Sequence, residues 1–129
     1  MHGQLIEYHN PSVGERYGIL KEKNSYGKFK ITTGWFGYSG GLGNERTSDA
    51  DVFRILSPND ILKEQKSIEN HFEYSWAHHN GRLAATKTLY FADTSGAEPR
   101  EGKIQHLPRF VAENLVNFFL SEGWFAYAD

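Results

Sequence analysis

Cysteine is absent from the 129-residue chain, which excludes disulfide bridges, zinc–thiolate sites and a thiol nucleophile. Long hydrophobic runs are also absent, since no stretch approaches the roughly 18 apolar residues that cross a bilayer. The first residues lack the basic start and the apolar centre of a secretory signal. These absences predict a soluble, cytoplasmic protein with no membrane contact.

The chain also lacks an excess of charge of one sign. Fourteen basic and 16 acidic residues give a formal net charge of -2, which argues against a purely electrostatic binder of polyanions. Hydrophobic residues make up 39% and charged residues 23%, a balance typical of a globular domain rather than a disordered tail. The length predicts a single domain over residues 1–129, because domains cluster near about 100–150 residues.

The N-terminal region has the pattern of short strands separated by turns. Residues 4–9 and 17–21 are rich in apolar residues, and residues 28–33 alternate polar and apolar side chains. Asn-Pro near residue 10 and Asn24 to Gly27 are turn signals. These pieces predict an antiparallel meander or a small barrel-like part, and residues 52–56 predict a further strand.

Glycine is concentrated between residues 34 and 48, at a density that does not support a long regular element. We expect the end of a strand and then an exposed loop. The loop lacks the Lys-Ser/Thr ending of a nucleoside triphosphate loop and precedes no obvious helix. It therefore reads as a mobile loop or as a flap over a ligand.

Two segments have helical signals. Ser57 to Asp60 is a typical helix start, and apolar side chains from Ile61 to Trp76 recur every three or four residues. The alternation of Phe72, Tyr74 and Trp76, with Asn80-Gly81 after it, also fits a hairpin over residues 71–91. We favour the helix, because the apolar stripe is continuous. Pro108 opens a second helix that ends near Gly123.

The prediction is therefore an α+β fold, in which an antiparallel sheet of five or six strands packs against helices at about 58–80 and 108–122. Residues 83–91 are expected to form a strand, and residues 94–103 a polar loop. Residues 124–127 are expected to close the chain against the sheet.

Aromatic residues make up 15% of the chain, with nine Phe, seven Tyr and three Trp. Each ring buries about 150–250 Å², so this surplus can serve a core or a binding surface. The main hypothesis is a non-enzymatic binding module that captures a small anionic ligand or a protein partner through an aromatic surface with arginines. A homo-oligomer is possible, because the rings can exceed what one small core hides. The candidate ligand-binding residues are Trp35, Phe36, Tyr38, Arg82 and Arg109.

The alternative is single-stranded nucleic-acid binding by the N-terminal sheet, where bases would stack on rings beside cations. This reading is possible but not favoured. Its candidate residues are Arg16, Tyr17, Lys28, Phe29 and Lys30.

Catalytic motifs are weak. Residues 37–41 match the Gly-x-Ser-x-Gly pattern of a hydrolase nucleophile. That motif requires a buried strand before it and a helix after it, and the sequence predicts neither. His71 and His78 are about 10.5 Å apart along a helix, too far to hold one metal ion easily. No catalytic residue, metal or cofactor is predicted, and a small hydrolase or nucleotide-processing enzyme remains a third hypothesis.

Overall fold

The computed structural model describes residues 4–10, 15–23, 28–32, 46–49, 53–78 and 86–129. Within these ranges eight strands and three helices follow one another along the chain. The strands are β1 Leu5–Asn10, β2 Glu15–Lys23, β3 Lys28–Thr32, β4 Arg46–Asp49, β5 Phe53–Ile55, β6 Thr86–Asp93, β7 Arg100–Pro108 and β8 Phe125–Ala128. The helices are α1 Pro58–Lys63, α2 Gln65–His78 and α3 Arg109–Ser121. The α+β prediction is confirmed, with two sheets where a single sheet was expected.

The first five strands form one antiparallel sheet in the order β4-β3-β2-β1-β5. The predicted meander is confirmed, because β1 pairs with β2 and β2 with β3. The outermost strands, β4 and β5, are not neighbours, so the sheet is open and the barrel-like alternative is not realised. The expected loop over 34–48 is wrong at its end, where Thr47 of β4 pairs with Lys30. A short polar strand at a sheet edge has no apolar alternation to reveal it.

The first helical segment is confirmed from Pro58 to His78, so the hairpin alternative is wrong for this part. Ser57 accepts a hydrogen bond from the Asp60 amide, and the Asp60 carboxylate accepts one from the Ser57 amide, which completes a capping box. The prediction of one continuous helix is wrong at Glu64, which lies between α1 and α2 with a φ of -102° and a ψ of 12°. Residues 79–85 lie outside the described residues.

The last three strands form a second antiparallel sheet in the order β7-β6-β8. β7 corrects the prediction of a polar loop over 94–103, because the loop ends before Arg100. Its pairing with β6 contains a bulge, since the partner of Lys87 is Leu107 and the partner of Leu89 is Ile104. His106 lies inside this bulge with a φ of 62°. The extra residue places the buried Ile104 and Leu107 three positions apart, which hides the period of two that identifies a strand.

One hydrophobic core joins both sheets to the helices. β1, β2 and the α1–α2 pair contribute Leu5, Ile19, Ile61, Ile68 and Phe72, all at most 1% exposed. The second sheet and α3 contribute Phe91, Val111, Leu115, Phe119 and Trp124 to the same core. α3 ends as predicted, where Gly123 has a φ of 82° and turns the chain into β8.

Candidate functional site

Most of the predicted ligand-binding residues lie outside the part of the chain that the structure describes. Trp35, Phe36, Tyr38 and Arg82 belong to this group, so their role stays a prediction. Arg109 is described. It begins α3, and its Nε donates to Glu113 Oε1 at 2.8 Å, with both side chains largely exposed. The carboxylate offsets the positive charge that was expected to attract an anion.

The other three arginines with described side chains also pair with carboxylates. Arg16 Nε is 2.7 Å from Glu7 Oε2, and Arg54 reaches both Glu7 at 3.0 Å and Glu64 at 2.6 Å. Burial alone would raise the pKa of Glu7, but the hydrogen bonds from the two arginines outweigh it and hold that pKa below its usual value. This network ties the first sheet to Glu64, between α1 and α2.

Arg100 joins three elements at the start of β7. It binds the carboxylate of Asp93 on β6 and the side-chain oxygen of Asn59 on α1. Its guanidinium also lies over the ring of Trp124, 5.3 Å from the centroid. Hydrogen bonds from the Ser95 hydroxyl, from Arg100 and from the Ser95 amide lower the pKa of Asp93 to about 2. Arg100 is therefore already occupied by contacts within the fold.

Because the Asp93–Arg100 ion pair requires an ionised carboxylate, we expect the fold to lose stability in acid. A carboxyl group with a lowered pKa stabilises the fold fully above its unfolded value of about 3.9, and the contribution is lost as the pH falls toward the folded value. We expect the free energy of unfolding to fall between about pH 4 and pH 2 more steeply in the wild type than in Asp93→Asn. Urea unfolding at several pH values measures the difference. Glu98→Gln, in the exposed loop before β7, is the control and should keep the wild-type slope.

The nucleic-acid candidates divide between buried and exposed positions. Tyr17 is 0% exposed. Its hydroxyl lies 3.0 Å from Glu64 Oε1 and 3.2 Å from Ser67 Oγ, so no ring face is free for a base. Arg16 is exposed but paired with Glu7. Lys28, Phe29 and Lys30 lie on β3 beside β4, and their side chains are outside the described residues. For these three the nucleic-acid role stays a prediction.

The described rings separate into a buried group and an exposed group. Phe91 stacks on Phe119 with centroids 4.6 Å apart, and Trp124 packs against both. In contrast, Phe125 is 60% exposed and Tyr127 is 47% exposed. Tyr127 stacks on the half-buried Tyr90 at 4.8 Å and meets Phe125 edge-on at 5.8 Å. We call Tyr90, Phe125 and Tyr127 the aromatic strip.

The aromatic strip lies on the outer face of the second sheet because of the alternation in β8. Ala126 is buried, with Ala128 partly buried against the core, so these two small side chains point toward α3. Successive residues of a strand point to opposite faces, which directs Phe125 and Tyr127 away from α3. Tyr90 is opposite Tyr127 across the β6–β8 pair and lies on the same face.

The two edges of this sheet differ. At the β7 edge, α2 supplies acceptors one helical turn apart: Gln65 Oε1 is 3.1 Å from the Lys103 amide, and Glu69 Oε2 is 2.8 Å from the Gln105 amide. These side chains occupy amide groups that would otherwise be open to another strand. β8 forms the opposite edge, and in the described ranges it pairs only with β6.

The outward backbone groups of β8 follow from its register. Thr88 and Asp129 exchange both hydrogen bonds, with amide–carbonyl distances of 3.1 and 2.9 Å. In an antiparallel pair such residues alternate with residues whose amide and carbonyl point away. Phe125 and Tyr127 therefore bind β6, and Ala126 and Ala128 direct their amides and carbonyls outward. We call these four groups the β8 edge.

Sequence reasoning missed this surface, although one signal was present. Residues 125–128 alternate large rings with alanines, a pattern that places the rings on one face of a strand and leaves room for a helix on the other. The sequence prediction packed residues 124–127 on the sheet as a whole. The structure separates Trp124, which is buried, from Phe125 and Tyr127, which are exposed.

Comparison of the chain with protein-family models, curated proteins and solved structures finds no match. In the described residues no helix has both the length and the apolar character required to span a membrane. Across the same residues no three histidine or acidic side chains converge as a metal site would require. The geometry of the second sheet is therefore the main guide to function.

Proposed function

We propose that the chain is a non-enzymatic protein-interaction module that binds an extended segment of a partner through the aromatic strip and the β8 edge. The partner segment would add a strand beside β8 and place its outer side chains against Phe125 and Tyr127. Backbone hydrogen bonds give such complexes affinity, and side chains at alternate positions give them specificity.

The observation that carries this proposal is the combination, on one strand, of exposed rings with an edge that no other described residue covers. Natural sheet edges are commonly protected by charged residues, proline, bulges or a covering element. α2 protects the β7 edge in this way. Phe125–Ala128 contains no charged residue and no proline. An edge of this kind is a template on which another strand can pair, and aromatic side chains are enriched at protein interfaces.

The paired arginines favour a protein partner over a small anionic ligand. The four arginines with described side chains all contact carboxylates, so an anion would have to displace an ion pair at each of them. Arg82 and the aromatic residues Trp35, Phe36 and Tyr38 remain candidates for contacts to an anionic ligand. A partner segment at β8 needs none of these arginines.

Panning of a random peptide library against the chain tests the proposal. We expect the selected peptides to alternate apolar side chains and to bind Tyr127→Lys about tenfold or more weakly, because the substitution removes a central ring. Leu120→Lys is the matched control: Leu120 is 51% exposed and lies on α3, outside the aromatic strip. Its affinity should stay within about twofold of the wild type. Calorimetric titration measures both.

A backbone variant separates strand addition from contact with the rings alone. Ala128→Pro removes one outward amide and leaves the aromatic strip intact, and proline is tolerated where an edge amide faces solvent. We expect this variant to weaken peptide binding as well. Peptides that bind Tyr127→Lys and Leu120→Lys equally well would overturn the proposal.

A further inference from the structure

We infer that the partner which fits the β8 edge is a second copy of this chain, paired antiparallel with β8 about a twofold axis at Tyr127. This inference rests on the proposed function, because it uses the same surface and names its occupant. The two three-stranded sheets would join into one continuous sheet, with the two aromatic strips adjacent on its outer face.

The register follows from which backbone groups are open. With Tyr127 opposite Tyr127 of the second copy, Ala126 of each copy lies opposite Ala128 of the other. Each of these pairs exchanges two hydrogen bonds, so the β8 edges of both copies are fully satisfied. A register centred on Ala126 would instead place Ala128 opposite Trp124, whose amide already donates to the Phe119 carbonyl at 2.9 Å. The edge is therefore self-complementary in the register centred on Tyr127.

The charges near the axis permit this pairing. Phe125–Ala128 is uncharged. The nearest carboxylate in the sequence, Asp129, would lie opposite Phe125 of the second copy rather than opposite its own equivalent. Like charges opposite each other destabilise a strand pair, and this register avoids them.

The size of the surface predicts a reversible dimer. A fully exposed aromatic side chain offers about 150–250 Å², so Phe125 and Tyr127 together present roughly 200 Å² of ring surface per copy. Stable interfaces bury about 1,200–2,000 Å² in total, and the rings with a short strand pair fall below that range. We therefore expect association at concentrations on the order of 100 µM.

Sedimentation velocity from about 5 to about 500 µM tests the inference. The wild type and Leu120→Lys should shift from monomer toward dimer as the concentration rises, whereas Tyr127→Lys and Tyr127→Glu should each stay monomeric. A mixture of the two charged variants should dimerise again, because residue 127 lies opposite itself and the opposite charges then attract. Circular dichroism checks that each variant is folded.

Amide hydrogen exchange on the wild type gives a second readout that needs no variant. The amides of Ala126 and Ala128 should become protected as the concentration rises. A wild type that remains monomeric at about 500 µM, or a dimer that persists in Tyr127→Lys, would overturn the inference. If the mixture of Tyr127→Lys and Tyr127→Glu stays monomeric, the register centred on Tyr127 would be overturned.

The outcomes separate this inference from the proposed function. A monomeric chain whose β8 edge still binds selected peptides keeps the proposed function and excludes the second copy as the partner. A dimer that competes with those peptides supports both. If the chain stays monomeric and the selected peptides bind away from the β8 edge, both the proposed function and this inference are excluded.

Discussion

Replacement of Phe119 by alanine is expected to destabilise the fold by about 3–5 kcal/mol, the usual cost of removing a buried ring. Phe119 is 0% exposed. It stacks on Phe91 at 4.6 Å and packs on Trp124 at 5.4 Å. The cavity left by the ring would lie where α3, β6 and the chain before β8 meet. Guanidinium unfolding measures the loss, which is a large part of the roughly 5–15 kcal/mol of a typical domain.

Phe125→Ala is the matched control for this prediction. It removes the same ring from a position that is 60% exposed. We expect a change within about 0.5 kcal/mol, because surface substitutions rarely cost more. A loss of less than about 1 kcal/mol for Phe119→Ala would contradict the packing of the second sheet on α3. Equal losses for the two variants would contradict the division of the rings into buried and exposed groups.

That division could not be predicted from the sequence. The pattern of Phe125 to Ala128 predicts a strand face with rings, but it does not say whether a helix or solvent lies on that face. The answer depends on β6, which pairs with β8, and on α3, which occupies the other face. Long-range pairing of this kind is not encoded in local periodicity.

Local signals were sufficient for the two helical segments, apart from the break at Glu64, and for the N-terminal meander. The Ser57–Asp60 start and the stripe from Ile61 to Phe72 correspond to the capping box and to the buried face of the α1–α2 pair. β7 was missed for a physical reason, because its bulge at His106 breaks the alternation and its exposed positions are polar. Arg109 was predicted as a ligand contact, and only the structure reveals the Glu113 carboxylate beside it.

Close packing also predicts a large loss of stability on substitution of Gly102, which lies on β7 in the stretch that was expected to be a loop. A Cβ atom there would lie 2.7 Å from Gln65 Oε1 and 2.7 Å from Cζ of Phe91. Neither neighbour moves easily: Gln65 holds the Lys103 amide, and the Phe91 ring is 2% exposed within the core. The glycine therefore permits α2 to approach β7 closely enough to cap its edge.

We expect Gly102→Ala to destabilise the fold by about 1–3 kcal/mol, the usual cost of an overpacked core. The lower entropy of the unfolded alanine chain, worth about 0.4–1 kcal/mol, opposes this loss without cancelling it. Gly96→Ala is the control, because its Cβ would meet nothing closer than the Glu98 carbonyl at 3.9 Å, and it should be neutral or slightly stabilising. Urea unfolding compares the two.

Hydrogen exchange at the β7 edge distinguishes this mechanism from a general loss of stability. If the new methyl group pushes α2 away, the amides of Lys103 and Gln105 lose their acceptors and exchange faster, whereas the Tyr90 and Tyr127 amides between β6 and β8 stay protected. Uniformly faster exchange would contradict the close approach of α2, as would a Gly102→Ala chain as stable as the wild type. Among the described residues, selective opening would leave the sheet with two open edges. Strand-mediated association at β7 would then be expected in addition to the association proposed at β8, because the cover supplied by Gln65 and Glu69 is what distinguishes the two edges.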